Sequence, residues 1–104
     1  MSATLEQIKT LERIYTEGYA DSFLDQSLEK IIAHQQARDQ ADLALLEQDL
    51  YALEQEHGMA SEEFHRRYTE GELGDEAEFV EWNALYKMMS RLRTRLDILQ
   101  GREP

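Results

Sequence analysis

Glu54 and His57 are the residues whose types and spacing come closest to a metal-binding motif. They form a Glu-x-x-His sequence, which places both side chains on one face of a helix, as in carboxylate-bridged two-metal sites. Such sites need two copies of the motif and further glutamates, whereas this chain has one copy. Among 22 acidic residues a single Glu-x-x-His arises readily by chance, so we expect no metal and no other cofactor.

Candidate nucleophiles are also few. The chain has no cysteine, which excludes disulfides, thiolate zinc sites and cysteine nucleophiles. Ser61 is predicted to cap one helix, and either Asp21 or Ser22 to cap another. No Gly-x-Ser-x-Gly elbow or Gly-rich phosphate loop occurs, and the turn between Gly71 and Gly74 is acidic and would repel phosphate. We therefore predict that the protein is not an enzyme.

The elements that must position these residues are predicted to be helices. The 104 residues suffice for one small domain. The only proline is Pro104, the only valine is Val80, and good helix formers fill most other positions, which predicts an all-α protein. Glycines divide the chain into a short helix over residues 4–17, a long helix over 22–57, a connector with a short helix over 61–75, and a final helix over 76–100.

Leucine-rich heptad patterns predict that the two long helices pair. The seam residues are Leu43, Leu46, Leu50 and Leu53 in the long helix, and Trp82, Leu85, Met89, Leu92, Leu96 and Leu99 in the final helix. This spacing predicts an antiparallel, coiled-coil-like helical hairpin closed by a packed connector. Residues 34–42 offer only alanines as apolar contacts, so the helices either approach closely there or the long helix bends.

A dimeric bundle is expected on energetic grounds. A lone two-helix hairpin buries too little apolar surface to offset a chain entropy of ~1.5 kcal/mol per ordered residue. Two hairpins packed as a homodimer would form a four-helix bundle. The first helix either adds a third layer to the hairpin or docks on a second subunit through Tyr15, Tyr19 and Phe23.

Charge is distributed unevenly along the chain. The net charge of −11 disfavours nucleic acid and anionic membranes and favours a basic partner, with solubility alone as the alternative. Residues 47–81 hold twelve acids and two arginines, a net charge of −10, whereas residues 87–95 carry +4. The favoured interpretation is that the basic turns lie against acidic turns of the antiparallel helix, where Asp39, Asp42, Glu47 and Asp49 would screen them. The alternatives are an acidic partner or nucleic acid.

No stretch approaches the ~18 consecutive apolar residues of a membrane span, and the polar N-terminus lacks the pattern of a signal peptide. We therefore expect a cytoplasmic protein with no membrane partner.

The connector and the start of the final helix carry a distinctive string. Residues 58–75 read Gly-Met-Ala-Ser-Glu-Glu-Phe-His-Arg-Arg-Tyr-Thr-Glu-Gly-Glu-Leu-Gly-Asp, and an aromatic-rich segment follows at residues 78–86. This string resembles small bacterial proteins of antitoxin type, although His57 stands where an aromatic residue is usual and Ala60 where serine is usual. The resemblance is best over residues 50–99. It implies a two-gene toxin–antitoxin pair in which this chain neutralises the toxin.

An acidic surface on the connector is the predicted contact with a basic toxin, because opposite charge gives fast, salt-sensitive association. The predicted partner-binding residues are Glu62, Glu63, Phe64, Tyr68, Glu70, Glu72 and Asp75. For the aromatic members the alternative is a place in the hairpin core. The alternative function is a self-associating coiled-coil scaffold or adaptor with no toxin. A DNA-binding arm over residues 5–32 is disfavoured, since Lys9, Arg13 and Lys30 supply its only positive charge.

Overall fold

The computed structural model describes residues 2–19 and 21–102, in which every regular element is an α-helix. The helices are α1 (Ala3–Thr16), α2 (Ser22–His57), α3 (Ser61–Thr69) and α4 (Ala77–Leu99). The predicted all-α class and the order of the four helices are confirmed, and the bounds of each long helix agree to within one residue. None of the helices in these residues combines the length and apolar character needed to cross a bilayer.

The start of α2 agrees with one of the two predicted caps, whereas the start of α3 differs from the prediction. Asp21 Oδ1 accepts a hydrogen bond from the Leu24 amide at 2.8 Å, so Asp21 caps α2 and Ser22 is its first helical residue. The N-cap of α3 is Ala60, and Ser61 is again the first helical residue. The Ser61 amide donates instead to the Glu54 carboxylate at 2.9 Å. Of the two candidates for the α2 cap, Asp21 is therefore the one that forms it, whereas the assignment of Ser61 as a cap was wrong.

The chain divides into two compact units, Met1–Ala33 and His34–Pro104, with the boundary inside α2. The N-terminal unit contains α1 and the first turns of α2. Within it, the Tyr15 hydroxyl donates to Asp25 at 2.7 Å, and this hydrogen bond raises the pKa of Tyr15 to about 12.

The C-terminal unit is an antiparallel hairpin of α2 and α4 closed by α3. The two helices run in opposite directions, because Gln36 contacts Leu99 at the end of α4, whereas His57 contacts Glu78 at its start. The core cluster consists of Leu50, Phe64, Trp82 and Met89, packed against half-buried apolar neighbours that include Leu43, Leu46, Leu53 and Leu85. The two heptad seams therefore meet, and the predicted hairpin is confirmed.

A polar cluster, rather than alanine contacts, joins α2 to α4 over residues 34–42. Asp39 is fully buried and accepts two hydrogen bonds from Arg95, each of 2.7 Å, and one from Gln35 at 2.8 Å. The Gln36 side chain donates to the Leu99 carbonyl at 2.6 Å. Ala37 and Ala41 are exposed. Ion pairing and hydrogen bonds therefore join the two helices here, the alanines form no contact surface, and α2 is one helix from Ser22 to His57.

Candidate functional site

The aromatic residues of the connector are divided between core and surface. Phe64 is 0% exposed and lies face to face with Trp82, their ring centroids 3.9 Å apart with an interplanar angle of 6°. Tyr68 is half-buried and stacks on Phe64 at 5.4 Å. Phe64, predicted as a partner-binding residue, is therefore a core residue that no partner can reach in the folded hairpin. Tyr68 keeps part of its surface open to solvent.

Arg66 pairs with three acids of the connector at once, although with Arg67 it supplies only two positive charges against them. Its guanidinium lies 2.7 Å from Glu63, 2.6 Å from Glu70 and 3.6 Å from Glu72, and Arg67 lies 3.0 Å from Glu63. The hydrogen bonds from Arg66 and Arg67 lower the pKa of Glu63 to about 2. These pairs are exposed and add little stability, but they occupy three of the acids predicted to meet a partner.

Glu62 and Asp75 are the predicted partner-binding acids that remain uncompensated. Both are exposed, and neither takes part in an ion pair within residues 2–19 and 21–102. The acidic surface that a basic partner could use is therefore narrower than the sequence indicates. Glu62 and Asp75 are its uncompensated acids, and Glu70 and Glu72 are exposed as well.

The Glu-x-x-His spacing does not produce a shared site. Glu54 turns toward the Ser61 amide, whereas His57 Nε2 lies 3.0 Å from Glu78 and 4.0 Å from Glu56. The hydrogen bond from His57 lowers the pKa of Glu78, and the hydrogen bond to Glu78 raises the pKa of Glu56. One imidazole nitrogen and two carboxylates within 4.8 Å could hold a divalent cation. The hydrogen bond and the stacking of His57 on Trp82 at 5.2 Å already account for this geometry.

His65, in α3, is also held by its neighbours. His65 Nδ1 lies 2.8 Å from the Asn83 side-chain oxygen, and its ring stacks on Tyr86 with centroids 4.7 Å apart. This contact fastens α3 to α4 next to the core.

The basic turns of α4 pair with α2, as the favoured interpretation predicts. Arg95 binds the buried Asp39, and Arg93 lies 3.4 Å from Glu47. Arg95 holds the pKa of Asp39 below its usual range. Two of the four acids named for this screening, Asp39 and Glu47, therefore perform it. Asp42 and Asp49 are exposed and form no ion pair in the described part of the chain.

Two features of the C-terminal unit were not predicted from the sequence, the hydrogen bond that Ser61 accepts and the complete burial of Asp39. Ser61 Oγ accepts a hydrogen bond at 3.0 Å from the indole N–H of Trp82, inside the core. Asp39 continues the spacing of the α2 seam, four residues before Leu43, and Arg95 stands on the facing helix. An acid at a seam position, opposite a basic stretch of the facing helix, is the sequence signal that could have predicted the burial of Asp39. Ser61 offered no comparable signal.

Ser61→Ala is expected to destabilise the C-terminal unit by about 1–3 kcal/mol, since the buried indole N–H of Trp82 would lose its acceptor. Urea unfolding followed by the fluorescence of the single tryptophan measures this change. The matched control is Ser90→Ala, a half-buried serine of α4 whose hydroxyl forms no hydrogen bond in residues 2–19 and 21–102. Equal midpoints for the two variants would show that the Ser61 hydroxyl is dispensable.

Two apolar surfaces of the described chain remain open. On the hairpin, Leu45 and Met88 flank a groove of about 700 Å³ between α2 and α4. In the N-terminal unit, no side chain of residues 2–19 and 21–33 is buried, although several are large and apolar.

Comparisons with models of protein families, with curated proteins and with solved structures find no match to this chain.

Proposed function

We propose that this chain acts by binding another protein and, following the resemblance of residues 58–86 to small bacterial antitoxins, that it neutralises a toxin encoded beside it. The function would be exercised in the cytoplasm, where such a toxin is made. It requires no catalytic group and no cofactor of this chain, since neutralisation needs only that the toxin's working surface be covered.

The main support for the proposal is that large apolar side chains of the N-terminal unit are exposed. Its large apolar side chains with exposed fractions of 42–74% are Leu5, Ile8, Tyr19, Phe23, Ile31 and Ile32. Ordering a helix costs conformational entropy, and most helical stability in proteins comes from packing an apolar face. Apolar side chains that remain exposed to solvent provide little of that stability. A partner protein that covers these side chains would supply the missing contact.

The residual acidic surface of the connector adds a second, electrostatic contribution. Glu62 and Asp75 lack compensating cations among the described residues. Exposed charges of one sign accelerate encounter with a partner of opposite sign, and salt weakens this effect. We therefore assign affinity mainly to the exposed apolar side chains of the N-terminal unit, and association rate to Glu62 and Asp75 together with the connector residues Tyr68, Glu70 and Glu72.

The test is a neutralisation assay in a bacterial host. Each open reading frame that flanks this gene is expressed alone and together with the chain. We expect one frame to arrest growth and co-expression to restore it. If no flanking product arrests growth, or if arrest persists with the chain present at equal level, the antitoxin proposal is wrong.

Two variants then locate the contact by binding measurements with the purified pair. Phe23→Asp is expected to raise Kd at least about tenfold, equivalent to about 1.4 kcal/mol, because it removes an exposed apolar contact. Gln26→Asp adds the same charge in the same turn of α2, at an exposed polar position, and should leave Kd nearly unchanged. Equal effects of the two substitutions would contradict the assignment of affinity to the exposed apolar side chains of the N-terminal unit.

Glu62→Lys with Asp75→Lys is expected to lower the association rate constant, and this loss should shrink as salt is raised. Asp49→Lys with Glu81→Lys provides a control that also replaces two exposed acids by lysines, at positions outside the connector. A change confined to the dissociation rate would instead indicate that Glu62 and Asp75 lie inside the interface.

A self-associating scaffold is the second candidate function, and the groove on the hairpin favours it. A scaffold would bury the groove against other copies of the same chain and would need no toxin. In that case no flanking frame would arrest growth, while the purified chain would still associate with itself.

A further inference from the structure

The groove between α2 and α4 has the character of a protein interface. Leu46 and Leu92 are half-buried within it, while Leu45 and Met88 are 62% and 54% exposed. The remaining lining residues are Asp42 on α2, and Arg91 and Arg95 on α4. The groove therefore has an apolar centre, one acidic side chain on its α2 edge and two basic side chains on its α4 edge.

Two of these charged side chains are free to pair with another molecule. Arg95 is already bound to Asp39 of its own chain. Asp42 and Arg91 are exposed and take part in no ion pair within residues 2–19 and 21–102. A uniformly basic partner would pair with Asp42 but repel Arg91, and a uniformly acidic partner would do the reverse. The favoured partner carries both charges, arranged in the opposite sense.

We propose that a second copy of this chain occupies the groove, related by a two-fold axis that runs along it. Such an axis places α2 of each copy over α4 of the other, so that Asp42 of one copy meets Arg91 of the other, twice per dimer. Neighbouring helices are then antiparallel throughout, as in an up-down four-helix bundle. Leu45 and Met88 of both copies become the centre of the shared core.

The size of the face agrees with a stable dimer. The 23 residues of α4 span roughly 35 Å at 1.5 Å per residue, and two adjacent helices are about 20 Å wide. The whole side of the hairpin around the groove therefore has a projected area on the order of 700 Å² per copy, which is the upper limit of what each copy could bury and is close to the ~800 Å² per partner of a standard interface.

The proposal is tested on the full chain by sedimentation equilibrium. The wild type is expected to be dimeric at micromolar concentration, and Leu45→Lys or Met88→Lys to raise the dimer Kd at least about 30-fold, since each buries a charge at the centre of the interface. Gln40→Lys adds the same charge at an exposed α2 position that does not line the groove, and should leave Kd unchanged. Circular dichroism of each variant checks that the helices remain.

Charge exchange tests the two-fold arrangement. Asp42→Arg and Arg91→Asp should each weaken the dimer about tenfold, because each places like charges opposite one another. The double variant restores opposite charges across the interface and should recover most of the wild-type Kd. Failure of the double variant to recover would overturn the proposed arrangement. A wild type that stays monomeric at roughly 100 micromolar, far above the micromolar concentration at which a dimer is expected, would overturn the groove as a dimer interface.

The outcome is independent of the antitoxin proposal. A monomer that still relieves growth arrest would refute the dimer alone, and a dimer that relieves no arrest would refute neutralisation alone.

Discussion

Trp82→Ala is expected to destabilise the C-terminal unit by about 3–5 kcal/mol, a large part of the 5–15 kcal/mol that a small domain typically has. Trp82 is 0% exposed, lies against the rings of Phe64 and His57, and donates its indole N–H to Ser61. Its removal leaves a cavity where α2, α3 and α4 meet, and helix geometry prevents the neighbours from closing it fully.

Urea unfolding followed by circular dichroism measures this loss, because the variant lacks the only tryptophan. Val80→Ala is the matched control on the same helix, since Val80 is 50% exposed and should change stability by no more than about 0.5 kcal/mol. Trp82→Phe should lie between the two, because it retains ring contact and leaves Ser61 without its donor. If Trp82→Ala costs no more than Val80→Ala, the aromatic cluster does not hold the hairpin closed.

Arg95→Ala is expected to lower the urea midpoint at pH 7 by about 1 M or more, using typical urea dependences for small proteins. Asp39 would then remain fully buried without its cation, and an uncompensated buried charge is strongly unfavourable. Arg93→Ala is the control, because its partner Glu47 is half exposed at 3.4 Å and such pairs contribute little.

The pH dependence of the two proteins should have opposite signs. In the wild type, hydrogen bonds from Arg95 lower the pKa of Asp39, so the carboxylate contributes stability above the unfolded-state pKa. That contribution is lost as pH falls below 3.8 through the lowered folded-state value. In Arg95→Ala, burial without a cation favours the protonated acid, so the penalty should shrink on acidification. A penalty that stays constant between pH 7 and pH 4 would show that Asp39 is not the buried charge responsible.

The sequence alone determined the helices and their pairing. Glycine at the end of the long helix stops it, since Gly58 adopts a φ of +63°, a conformation that few other residues accept. Heptad spacing identified which residues of α2 and α4 share a face, and two such faces on helices of one chain, joined by a connector that reverses its direction, can bury against each other. For this reason the hairpin could be predicted without knowledge of any contact.

Only the tertiary structure decided which polar residues and which aromatic residues of the connector are buried in the core. Phe64 lies one position from Glu63 on a nine-residue helix, and periodicity cannot say which side of so short a helix faces the hairpin. Asp39 is hydrophilic by composition, and its burial depends on Arg95, 56 residues away. The pairs of Arg66 with Glu63 and Glu70 are different, because i,i+3 and i,i+4 contacts follow from helix periodicity itself. Helix periodicity is a local property of the chain, whereas the partner of a buried charge such as Asp39 is fixed only when distant residues meet.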